Sequence, residues 1–162
     1  MKCLSIILFY SLITLTAAFA QNKTADETAI RKTLTDARAA YDKKDLSAFT
    51  AFFVKSPDLY FQIYAERQMI ILAHGWEAMN RMEGGYMKEN PQPNTDKIIE
   101  TAYKVYINGN TAWVSSTNEY QAPDGKKSFS QDFIVLEKQQ GIWKIAALTS
   151  QNYAEGKLVE VK

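Results

Sequence analysis

Four strand-like segments joined by turns of only a few residues fill the second half of the chain, and this restricts the possible folds more than any other feature. The segments are Ile98–Ile107, Thr111–Gln121, Lys127–Lys138 and Ile142–Gln151. Between them lie Asn108-Gly109-Asn110, Pro123-Asp124-Gly125 and Gln139-Gln140-Gly141, all built from residues that accept hairpin turns. Connections this short cannot hold a parallel crossover, so successive strands must be antiparallel neighbours in a meander. One face of such a sheet has to be covered.

The first half supplies the cover. Thr24-Ala25-Asp26-Glu27 has the capping-box pattern, and Ile30, Leu34, Ala37 and Tyr41 follow at helical spacing, which predicts a helix to about Lys43. Asp45 is placed to cap a second, shorter helix with Leu46, Phe49, Phe52 and Phe53 on its apolar face, ended by Ser56-Pro57. Leu59–Tyr64 and Gln68–Ala73 read as strands, rich in aromatic or aliphatic residues. A third helix is predicted over Trp76–Lys88, with Trp76, Met79, Glu83 and Tyr86 on one side and a weak point at Gly84-Gly85. Helices first and a curled meander second give an α+β domain with three helices on the concave face of a curved antiparallel sheet. The wedge between the two layers is the natural place for a pocket.

The extreme N-terminus has a different logic. Lys2 precedes an apolar run from Leu4 to Leu15, and Ala18 and Ala20 supply a small-x-small cleavage pattern. The run is shorter than the roughly 20 apolar residues that cross a bilayer core, so a cleavable signal over residues 1–20 is expected rather than an anchor. Residues 21–154 then form one domain and 155–162 a tail, exported to the periplasm or the medium. Cys3 is the only cysteine and leaves with the signal, so an oxidising compartment gives the domain no disulfide. Lys2 is also the only charged residue of that stretch, which leaves the remainder formally neutral. No basic stripe is present to hold nucleic acid, and neither nucleic acid nor membrane is an expected partner of the mature domain.

The order of elements resembles the nuclear-transport-factor-2-like superfamily, the cystatin-like cone fold shared by ketosteroid isomerases and SnoaL-like polyketide cyclases. Four stretches carry the resemblance: Tyr41-Asp42-Lys43-Lys44-Asp45-Leu46-Ser47-Ala48-Phe49, Ala73-His74-Gly75-Trp76-Glu77-Ala78-Met79, Gly109-Asn110-Thr111-Ala112-Trp113-Val114 and Gly141-Ile142-Trp143-Lys144-Ile145. It spans about residues 24–152. The resemblance implies a cone-shaped domain, and it mixes enzymes with pure binding proteins, so fold alone does not give function. Carried over to this chain, the isomerase branch's first-helix tyrosine falls near Ala37 and its general base near Phe61 and Gln62. Only the acid on its penultimate strand has a counterpart, Asp132. The isomerase apparatus is incomplete. Dehydratase-like relatives pair a histidine with an aspartate, which makes His74 and Asp132 the candidate proton-transfer pair of a lyase- or isomerase-type enzyme. His74 can equally cap or pack the start of the third helix.

Strand alternation puts Ser130, Asp132, Ile134 and Leu136 on one face and Phe129, Gln131, Phe133 and Val135 on the other. Both faces carry apolar residues, so the pattern leaves the direction of Asp132 open. Ser115-Ser116-Thr117-Asn118-Glu119 is polar on both faces, which suits a polar cavity lining or a wet dimer surface. Trp143, Ile145, Ala147 and Thr149 are expected to share the face beneath the helices. Tyr41, Tyr60, Trp76, Tyr86, Trp113 and Asn118 are the candidate ligand contacts. No metal site and no cofactor are expected, because the sequence offers one histidine, no second cysteine, no carboxylate cluster and no phosphate or dinucleotide fingerprint. The leading expectation is a small apolar or amphipathic ligand bound without catalysis, in a homodimer paired through the sheet. The alternatives are the His74–Asp132 enzyme and a homodimeric interaction module with a filled cavity.

Overall fold

The computed structural model describes residues 24–65, 69–159 and 161. The signal expected over residues 1–20 lies outside the described residues. The elements run α1 (residues 24–42), α2 (Leu46–Thr50), β1 (Tyr60–Ala65), β2 (Met69–His74), α3 (Trp76–Glu89), β3 (Lys97–Asn108), β4 (Thr111–Gln121), β5 (Lys127–Gln139) and β6 (Ile142–Tyr153). Local chemistry explains the joints. Asp45 Oδ1 accepts the Ala48 amide at 3.0 Å and starts α2. Gln140 and Gly141 both have positive φ, 52° and 83°, as a two-residue turn matched to strand twist requires. Gly75 opens α3 at φ 82°, where an added Cβ would lie 3.2 Å from the Pro57 carbonyl oxygen, so a side chain there would meet backbone. The helix continues through Gly84-Gly85 to Glu89; a Cβ on Gly84 would stand 3.0 Å from Leu46 Cδ2, so the small residue lets α2 pack close.

The six strands form one curved, unclosed sheet in the order β2-β1-β6-β5-β4-β3. β3 to β6 are the expected meander, but the sheet is mixed rather than purely antiparallel, because β6 enters beside β1 and runs parallel to it. The backbone after α2 adds a further tie, with Val54 donating to Ile145 O and Ile145 to Phe52 O, both at 2.9 Å.

Two bulges decide which residues point inward. One lies between Glu100 and Ala102 on β3, and the other falls at Ala146 on β6, where Val135 pairs with Ala147 but Leu136 pairs with Ile145. An extra residue inverts the alternation beyond it. Trp143 and Ile145 are therefore buried under the helices, whereas the expected companions Ala147 and Thr149 turn to the outer face and Leu148, Ser150 and Asn152 take their place inside. The core is a single cluster of apolar residues from both layers, including Ile30, Leu59, Met79, Val114, Leu136, Trp143 and Ile145. α1 is fastened at both ends, by Trp143 Nε1 donating to Asp26 Oδ1 at 3.1 Å and by the Asn94 amide donating to Asp42 O at 2.8 Å.

Candidate functional site

A cavity of about 460 Å³ lies between α1 and the inner face of the sheet. Its floor is set by strand register. Ile134 and Leu148 align across β5 and β6, with Phe61 of β1 beside Leu148 and the fully buried Val114 of β4 beside Ile134. The next inward row is Ser116, Asp132 and Ser150, and the one after it is Asn118, Ser130 and Asn152. Two polar rows thus follow an apolar one along the three central strands. Leu34, Ala37, Phe49, Phe53 and Ile145 complete the apolar wall, while Arg38, Tyr41 and Tyr120 close over the polar end. The result is a pocket with a greasy body and one polar end, in the size range of small-molecule sites.

Asp132 is the centre of the polar end. Asn118 Nδ2 donates to Asp132 Oδ2 at 2.9 Å and to Ser130 Oγ at 3.2 Å, and the Ser150 hydroxyl donates to Asp132 Oδ1 at 2.7 Å. The Tyr120 hydroxyl meets Ser130 Oγ at 3.0 Å. Burial pushes the Asp132 carboxyl above the ordinary carboxylate range, against the hydrogen bonds of Ser150, Ser130 and Asn118 and the charge of Arg38. Tyr120 is raised in turn, first by burial and then by the Asp132 charge. Arg38 donates Nε to both Asp42 oxygens at 2.9 and 3.0 Å and stands 5.1 Å over the Tyr120 ring.

Behind the Tyr41 wall sits a second buried acid. Glu83 of α3 is only 2% exposed, and its Oε2 has no hydrogen-bond partner. Desolvation raises its carboxyl to about 7, and Lys44 opposes the rise. Lys44 lies 5.0 Å over the Tyr41 ring and 4.8 Å over that of Tyr86. Burial, and then the Glu83 charge, keep the Tyr41 hydroxyl protonated far into alkaline pH.

Among the expected site residues, Tyr41, Asn118 and Asp132 line the cavity together. Ala37 and Phe61 line it as well, with no group that can move a proton. His74 does not join them. The cross-strand row His74, Tyr60, Ala147, Val135, Trp113 and Tyr106 runs along the opposite face, one residue out of step with Ala73, Phe61, Leu148, Ile134 and Val114. His74 is exposed and meets the Tyr60 ring edge-on at 5.6 Å, so the expected His74–Asp132 pair is not formed: the sheet separates its members.

The remaining aromatic candidates also fall elsewhere. Tyr60 is on the outer face, with its hydroxyl hydrogen-bonded to Gln62. Trp76 packs at the start of α3 and donates Nε1 to Thr50 O at 3.3 Å. Tyr86 is 45% exposed and stacks at 6.2 Å on Tyr41. Trp113 is outside, stacked at 4.0 Å on Tyr106. Being large and aromatic says nothing about direction: strand register turned Tyr60 and Trp113 outward, and Trp76 and Tyr86 lie on α3, away from the cavity lining. Arg38, Tyr120, Ser130 and Ser150 are the residues that sequence reasoning missed. Tyr120 and Ser130 share strand parity with Asn118 and Asp132, which is a usable signal; Ser150 needs the bulge, which leaves none.

No protein-family model matches the sequence, and no curated protein matches it. Solved structures do. An NTF2-like protein with a cystatin-like fold from Novosphingobium aromaticivorans aligns at TM-score 0.67 and 14% identity, covering 86% of this chain and 90% of that one. An NTF2-like protein of unknown function from Pseudomonas putida aligns at TM-score 0.66 and 16% identity, covering 86% and 97%. A protein of unknown function with a cystatin-like fold from Nostoc punctiforme aligns at 0.65 and 14%, covering 83% and 96%. At such identities the likeness lies in the backbone, and this chain has the cystatin-like cone fold of the nuclear-transport-factor-2-like proteins.

Proposed function

We propose that the cavity binds a small amphipathic molecule, its apolar body against Phe61, Ile134 and Leu148 and its polar head at Asp132 and Asn118. The observation that carries this reading is the sorting of the wall into an apolar body and one polar end around a volume of about 460 Å³. A cone packed only for stability would fill that space, since interiors pack as densely as organic crystals. The filled-cavity form of an interaction module does not fit such a volume. A thermal-shift panel of sterols, fatty acids and polyketide-like aromatics tests the reading. At about a hundred times its dissociation constant, a ligand stabilises by about 2.7 kcal/mol, a rise of several degrees. Leu34→Trp, which puts a ring into the cavity, is expected to abolish the rise, and His74→Ala, on the other face, to leave it. No rise with any class in a folded protein would sink the proposal.

A separate observation favours a homodimer through the sheet. Tyr106, Trp113 and Phe133 sit together on the outer face at 50%, 37% and 47% exposure, with Trp113 5.5 Å from Phe133 and stacked on Tyr106. Contiguous exposed aromatic surface marks an interface more often than a bare wall, and a two-fold dimer would bury the same patch on both copies. Sedimentation is expected to show a dimer that Trp113→Lys converts to a folded monomer. A wild-type protein that sediments as a monomer at every concentration tested removes the idea.

A further inference from the structure

We propose that the head group taken by this cavity is cationic: a protonated amine carried on an apolar body, with its N–H groups directed at Asp132. The inference rests on the ligand-binding reading above and narrows it to one chemical class.

The charges of the cavity wall do not cancel locally. Two guanidinium groups line it, and each already has a carboxylate. Arg31 lies 3.4 Å from Glu100 and 3.7 Å from Glu27, and stacks 3.7 Å over the Tyr103 ring. Arg38 is held by both oxygens of Asp42. Asp132 is the carboxylate without a direct cationic partner, and Arg38, held on Asp42, acts on it only at a distance. The hydrogen-bond partners of Asp132 are an amide and hydroxyls, and among the described residues no lysine or arginine comes within ion-pair distance of it. A buried carboxylate in that position either takes up a proton or acquires a cation, because leaving the charge uncompensated is expensive.

The acceptors around Asp132 favour an incoming N–H. Asn118 directs its amide hydrogens at Asp132 and Ser130. The reverse orientation would set a carbonyl oxygen against the carboxylate. In the orientation that remains, the Asn118 carbonyl oxygen accepts from none of the described residues, and it belongs to a cavity-lining side chain. An ammonium with several N–H groups can address the carboxylate and this carbonyl together. A hydroxyl has one hydrogen to offer and no charge. A carboxylate head would face Asp132 directly and find both guanidinium groups engaged.

Three probes with one phenylbutyl body and different heads separate these cases: phenylbutylamine, phenylbutanol and phenylbutyrate. They would be titrated calorimetrically into the full chain near pH 8, where alkylamines are charged. The amine is expected to bind about tenfold or more tighter than the alcohol, as a close charge pair worth at least about 1.4 kcal/mol requires. Asp132→Asn should remove that advantage, so that the amine and the alcohol bind the variant with similar affinity. Lowering the pH through the Asp132 titration should weaken the amine and not the alcohol, a readout that needs no variant. An alcohol or carboxylate that binds as tightly as the amine overturns the cationic head and leaves the ligand cavity standing. Failure of all three to bind a folded protein counts against the cavity reading itself.

Discussion

Trp143→Ala is expected to destabilise the protein by about 3–5 kcal/mol, the largest single-residue loss anticipated here. Trp143 is 1% exposed and lies where the inner face of β6 meets α1. Truncation removes a large apolar side chain from a site that a rigid sheet prevents from collapsing, so transfer and cavity costs add. The polar tip matters too. Asp26 receives the indole N–H at 3.1 Å and also pairs with Lys138, which holds its carboxyl below the usual range. Losing the indole loosens the attachment of α1 at the start of the cavity roof. Urea denaturation would show the loss as a lower midpoint with little change in slope. Trp143→Phe, which keeps most of the ring and loses the N–H, should cost clearly less. If the alanine variant loses under about 1 kcal/mol, Trp143 is not the keystone of this packing.

Glu83→Gln runs the other way, with a gain in stability that grows with pH. The folded-state carboxyl is raised from 4.5 to about 7, so between those values the folded protein holds a proton that the unfolded chain releases. Stability therefore falls as pH rises through this window. The penalty is absent well below the unfolded value and reaches about 3 kcal/mol above the folded one. Lys44, Tyr41 and Tyr86 are the titratable groups around it, and only Lys44 favours the charged form. Glutamine keeps the shape and cannot ionise. Its advantage over wild type should be about 2–3 kcal/mol larger near pH 8 than near pH 5 in paired urea titrations. An advantage that does not change with pH would mean that Glu83 ionises in the folded protein as it does in water.

The elements were legible in the sequence because local chemistry specifies them. The turns at Gly109 and Gln140-Gly141, the Asp45 cap and the third helix after Gly75 are set by residues a few positions apart. The sheet's interior was not. β1 lies parallel to β6 although more than seventy residues separate them, a pairing with no local signature. The bulge at Ala146 reverses the parity of β6, so no alternation rule could have brought Ser150 to Asp132. Asp132 itself lies in a strand apolar on both faces, and its direction became fixed only when Ser130 and Asp132 aligned with Asn118 and Ser116. His74 shows the reverse case. It stands next to Ala73, which is buried and on the cavity side, and one step along the strand is enough to turn it outward.

Methyl resonances distinguish a ligand in the cavity from one on the outer surface, because the two carry different aliphatic residues. On titration with phenylbutanol, a neutral probe that tests the cavity apart from any charge, shifts are expected at Leu34, Ile63, Ile134, Ile145 and Leu148, which line the cavity. Ile70 and Ile142, at 62% and 58% exposure, should stay where they are. Saturable shifts confined to the first group would establish an apolar binding cavity under α1. Shifts at the exposed residues alone, or none up to the solubility limit of the probe, would contradict it.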